Sequence, residues 1–175
     1  MKILSKFFKG LHVRSAAGFT LIELLVVIGI LGVLAAALVA TIDPFEQLKK
    51  ANDANVKNTA VEFIDANIRY YTTHSHMPWA SGCNNTQAPT NATLYPGLKD
   101  CLNSLIDDGE LKAAFTTVTG VLSAIIVNGT DQDVTACFQP QSKAERNDAN
   151  ASFNSAGVPT TGCGPTSTSC YWCSE

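Results

Sequence analysis

Glu23 is the first residue of this chain whose surroundings ask for a chemical explanation. The seventeen residues 24–40 carry no polar side chain, and residues 19–22 extend the stretch on the other side of the carboxylate. At about 1.5 Å rise per residue, a helix of this length spans the ~30 Å hydrocarbon core of a bilayer. A carboxylate inside a membrane helix costs up to about 3.5 kcal/mol on insertion scales, so such a residue marks function rather than packing. The chemistry open to it is charge pairing.

Six cysteines, Cys83, Cys101, Cys137, Cys163, Cys170 and Cys173, all follow the apolar segment. An even number in an exported, loop-rich region points to disulfides in an oxidising compartment. Cys83 with Cys101 would pin a loop to a short helix, and closing that loop contributes on the order of 3 kcal/mol in the chain-entropy view. Cys137 with one of the C-terminal cysteines would fasten the tail to a strand. Two other chemistries compete for the same thiols. Cys170-Tyr171-Trp172-Cys173 has the CxxC spacing of a redox pair, but no strand-then-helix pattern surrounds it. Cys137, Cys163, Cys170 and Cys173 could together bind zinc, yet only one ligand pair is closely spaced. Disulfides are preferred over both.

Weaker candidates remain. His74, His76 and Met77 are read as part of a polar loop, with no metal. Asp131 and Asp133 lack the full oxygen cage that calcium needs. Asn84, Asn91, Asn128 and Asn150 each open a glycosylation triplet, which is common by chance in so Asn- and Thr-rich a chain. There is no nucleophile–base pairing and no phosphate-cradling glycine loop, so neither a cofactor nor an enzymatic activity is expected.

The elements around Glu23 explain its position. Residues 1–17 carry Lys2, Lys6, Lys9 and Arg14 and no acid, a leader that stays cytoplasmic by the positive-inside rule. The leader ends in Ala16-Ala17-Gly18, directly before the apolar run. A cut after Gly18 would leave a new amine on Phe19, one helical turn from Glu23. The amine of one chain could then meet the carboxylate of its neighbour, and a paired charge is far less costly in an apolar medium. An ordinary secretory signal would instead be cut near Ala35-Ala36-Ala37.

A basic leader ending in glycine, followed by FTLIELLVVIGILG, resembles the processing signal of type IV prepilins and type II secretion pseudopilins. The resemblance covers residues 18–40. It implies cleavage between Gly18 and Phe19 by a prepilin peptidase and N-methylation of Phe19. It further implies that Glu23 guides subunit docking, with an inner-membrane assembly platform, minor pilins and other copies of the chain as partners. The helix would then have two solvents, lipid before assembly and neighbouring helices after it. Gly29, Gly32 and the alanines at 35–37 suit close helix approach.

The rest of the chain reads as one small α+β head. The expected parts are a leader at 1–18, a membrane or filament-core helix at 19–42, an amphipathic continuation at 43–71 and a disulfide-stapled head at 72–175. Asp43-Pro44-Phe45-Glu46 reads as a helix restart with a capping box. Phe45, Leu48, Val56, Ala60, Phe63, Ile64, Ile68 and Tyr71 recur at helical steps, with Lys49, Asp53, Lys57 and Arg69 on the other side. Residues 72–95 read as an ordered loop, 98–107 as a short helix and 111–115 as a turn. Residues 121–127 and 134–139 read as two strands joined by a turn at Asn128-Gly129-Thr130. The expected architecture is a long helix packed on a small antiparallel sheet, as the pilin resemblance also implies. Removing residues 1–18 moves the formal charge from −3 (12 minus 15) to −7 (8 minus 15), which argues against nucleic-acid binding through a general basic surface.

Overall fold

The structure is a computed structural model, and it describes residues 18–41, 43–84, 87–161, 163–164, 166–167 and 169–174. The basic leader therefore lies outside the described residues, apart from Gly18, as does Ile42. The chain divides into two compact units, residues 1–43 and 44–175.

In the first unit, α1 runs Leu21–Thr41. Aliphatic side chains surround it on all sides, so no face is set aside for a core of its own. Among the described residues, every side chain of this helix is exposed, and Leu21–Val39 is long and apolar enough to cross a membrane. Thr20 and Glu23 begin the helix as a capping box, described below.

The second unit starts at Pro44, the first residue of α2 (Pro44–His74), where the missing proline N–H costs no intrahelical bond. Its buried stripe is Asp53, Val56, Ala60, Phe63, Asn67 and Tyr70, alternating three- and four-residue steps. This corrects the expected face in two ways. Phe45 and Leu48 are 73% and 67% exposed and Ile68 is exposed too, so the first turn and one later position lie off the core. Asp53, expected on the solvated side, is 1% exposed. The helix also runs on to His74, past its expected end at Tyr71.

Four antiparallel strands form one sheet in sequential order: β1 (Ala92–Thr93), β2 (Ile125–Gly129), β3 (Val134–Phe138) and β4 (Trp172–Ser174). Helix α2 packs on β3, and Phe63, Ile125, Val127 and Phe138 fill the space between with Leu102 and Leu105 from α3 (Lys99–Asp107). The α+β class expected from the sequence is the observed one. The strand expected from residue 121 begins later, because Thr119–Leu122 forms a helical turn, α4, with Leu122 N–H bonded to the Val118 carbonyl at 3.1 Å. Its β-branched residues pair only from Ile125 onward. The turn expected at Asn128-Gly129 is displaced as well. Both residues pair with β3, and the reversal is made by Thr130, whose N–H reaches the Asp133 carbonyl at 2.8 Å.

Gly129 is required for a different reason. A Cβ there would lie 2.7 Å from the Trp79 ring. The indole covers this point of β2 and donates from Nε1 to the Thr130 carbonyl at 2.9 Å. The segment read as a loop thus contains a short 3₁₀ turn (Pro78–Ser81) that inserts Trp79 into the core, and then β1.

Candidate functional site

The amino end of α1 is built by two residues, Thr20 and Glu23. The Thr20 N–H and hydroxyl both donate to Glu23 Oε2, at 2.9 and 2.8 Å. The Glu23 N–H returns the contact to Thr20 Oγ1 at 3.3 Å. This is a capping box: a threonine N-cap and a glutamate three residues on satisfy each other's orphan donors. The signal, Thr-x-x-Glu before an apolar run, is plain in the sequence, yet Thr20 was not singled out there. Both of its contacts fall on Oε2, and no bonded donor reaches Oε1 among the described residues. The carboxylate is held in place and keeps an oxygen for another donor. Phe19, directly before this box, is 75% exposed.

In the head, the thiols are used in pairs. Cys83 is bonded to Cys101, Cys137 to Cys173, and Cys163 to Cys170, and no cysteine is free. Cys137 and Cys173 stand directly opposite each other on β3 and β4, so the sheet register itself brings their sulfurs together. The CxxC cysteines are therefore split between two disulfides, and neither a Cys170–Cys173 redox couple nor a four-thiolate zinc site fits this arrangement.

Two charged side chains, both expected from the sequence on the polar side of the helix, fasten the segment after β3 to α2. Asp53 is buried and accepts the N–H groups of Gln141 at 3.0 Å and Ser142 at 2.7 Å. Those donors close the chain after β3, and the carboxylate replaces the water they lose. Lys57 bonds Glu145 at 2.7 Å and Asp148 at 3.2 Å while its ammonium lies 4.8 Å from the Trp172 ring centroid. Burial works against the lysine charge, but the bonds and charges of Glu145 and Asp148 outweigh it and raise its pKa above the ordinary value. Asp148 is shifted down, first by the Asn150 N–H and then, against some burial, by Lys57. Glu46 accepts the Lys143 N–H, a further tie from α2 to the same segment.

The other sequence candidates are placed as follows. Asp133 Oδ1 takes the Val134 N–H at 2.8 Å, and among the described residues it forms no three-ligand group with Asp131. Asn128, read as a turn residue, bridges Asn91 N–H and the Ser155 carbonyl at 2.7 and 3.0 Å. The triplet at Asn84 extends beyond the described residues. His74 belongs to the last turn of α2 rather than to a loop.

The family description "prokaryotic N-terminal methylation motif" matches residues 13–39. The chain carries that motif, the signature of type IV pilins and pseudopilins. Gly18, Phe19, Thr20 and Glu23 all lie within it, and proteins defined by it are structural rather than catalytic. No curated protein and no solved structure matches the chain.

Proposed function

We propose that this chain is the structural subunit of a type IV pilus-like filament. It inserts in the cytoplasmic membrane with its basic leader inside, is cleaved between Gly18 and Phe19 by a prepilin peptidase, and is N-methylated on Phe19. It then leaves the lipid to polymerise through α1, with minor pilins and an inner-membrane platform as assembly partners. The observation that carries this is the methylation motif set on a helix whose described side chains are all exposed. Such a helix needs lipid or other helices around it. The three disulfides favour an extracellular pilus over a periplasmic secretion pseudopilus, which shares the same motif.

The capping box supports a specific role for Glu23. Thr20 holds the carboxylate through Oε2, and the amine created on Phe19 of another subunit can approach Oε1. A charge-assisted contact of this kind is stronger than a neutral one. Glu23→Gln keeps the size and most of the hydrogen bonding but removes the charge. We expect the variant to be expressed, inserted and cleaved, yet to assemble poorly as the sole subunit. Processed subunit in membranes is compared with subunit in sheared filaments at matched expression. Normal filament yield would show that Glu23 does not guide assembly.

A further inference from the structure

The core-facing side of α2 is longer than the head that buries it. Phe45 and Leu48 each stand eleven residues, three helical turns, before a buried residue of the same helix, Val56 and Thr59 respectively. Eleven steps of about 100° return to within about 20° of the starting direction, so both residues lie in the sector that the head buries further along. They are nevertheless 73% and 67% exposed. Helical geometry thus carries two large apolar side chains beyond the stretch over which their own head buries that sector.

Where the buried part begins, the same unit opens a groove of about 450 Å³. Asn52 and Val56 line it from α2, Val118, Val121 and Ala124 from α4 and its flanks, and Gln141 from the segment after β3. Val118 is 42% exposed, and none of the lining residues is charged. Such a groove accepts apolar side chains and offers no counter-charge to a lipid headgroup or an acidic partner. The projecting pair and the groove are separate surfaces of one chain, with Phe45 about 16 Å along the helix from Val56. Seating the pair of one copy in the groove of the next is therefore a heterologous contact, which leaves one of each surface open at the ends and so propagates.

We propose that Phe45 and Leu48 of one copy dock into the groove at Val118 and Val121 of a neighbouring copy, a contact between heads that adds to packing through α1. This rests on the filament reading above and deepens it. The area decides how the contact operates. An aromatic side chain buries roughly 150–250 Å², so Phe45, Leu48 and the groove walls together bury on the order of 500 Å². An interface that stands alone needs about 1,000 Å² or more. The contact therefore forms between copies already held side by side, as α1 would hold them. Phe45 follows Thr41, the last residue of α1, by only four positions, so the projecting pair directly continues the segment proposed to polymerise.

The test replaces Phe45 by the photo-cross-linker p-benzoylphenylalanine in the full chain and irradiates sheared filaments. We expect a cross-linked dimer in which the joined peptide of the second copy contains residues 117–124. Val118→Asp places a charge in the groove at an exposed position. It should lower filament yield at least fivefold at matched expression, with leader cleavage, membrane insertion and the near-ultraviolet circular dichroism of the head retained. Filaments that give no cross-linked dimer, or cross-links only to lipid or to α1 peptides, would overturn the contact, as would parent-level filament yield in Val118→Asp. Each of these leaves the filament reading standing. Absence of filaments from the parent chain would instead overturn that reading, and the contact with it.

Discussion

The two units of this molecule solve opposite problems. The head closes on itself: Phe63, Trp79, Leu102, Ile125 and Phe138 are each buried to within about one per cent, and the polar groups of its chain reversals are bonded to its own side chains. The described side chains of α1 are exposed from Leu21 to Val39, and among the described residues the bonds of Glu23 go to Thr20, one helical turn before it. Apolar area is stabilising only when removed from water, by roughly 25 cal/mol per Å². The head obtains that burial from folding, whereas in the proposed filament subunit α1 would obtain it from lipid or from other helices. The contrast teaches that stability and assembly are separable here, so a lesion in one unit should spare the other.

The largest effect on that separation should come from the disulfides. Replacing Cys83 and Cys101 together by serine opens a closure of 18 residues. The chain-entropy relation puts the loss at about 3 kcal/mol. We expect the head's melting temperature to fall sharply, measured by near-ultraviolet circular dichroism, while α1 still inserts into membranes. Failure of insertion in this variant would break the comparison.

Asp53→Ala should come next. It strands the Gln141 and Ser142 N–H groups in a buried setting, at a cost of about 2–3 kcal/mol by denaturant unfolding. Asp53→Asn keeps an acceptor oxygen and should lose less. Equal loss in both variants would mean that the negative charge, rather than the hydrogen bonds, holds the segment after β3.

Lys57→Met should cost about 1 kcal/mol, since both ion pairs are partly exposed. Its pH dependence follows from the signs of two shifts. The raised lysine contributes stability that is full below its unfolded value, about 10.4, and is lost as pH rises through the higher folded value. The lowered Asp148 contributes stability that is full above its unfolded value, about 3.9, and is lost as pH falls through the lower folded value. The difference between parent and Lys57→Met should therefore be flat from about pH 5 to 9 and shrink outside that window. A slope near neutrality would assign the contribution to another group.

Some of this was legible in the sequence. Periodicity gave the body of α2, because Val56, Ala60 and Phe63 repeat at helical steps, Asp43-Pro44 marked its start, and the stop signal Asp107-Asp108-Gly109 marked the end of α3. Composition gave the membrane-length helix. Other features depend on pairings distant in the chain. The stripe of α2 contains Asp53 because its partners are 88 and 89 residues away, and no local pattern announces a carboxylate bonded to those amides. β1 and β4 are two and three residues long, too short for alternation to register. Gly129 reads as a turn residue until the Trp79 ring is seen above it. The capping box was within reach and needed only the Thr20–Glu23 spacing.

The central claim, that the chain is processed at the boundary between its basic leader and α1, is tested most directly by mass spectrometry of the mature N-terminal peptide. We expect a chain beginning at N-methylated Phe19, with residues 1–18 removed. A chain beginning after Ala37 or Ala40 would identify an ordinary secretory signal, remove Glu23 from the mature protein and contradict the filament account.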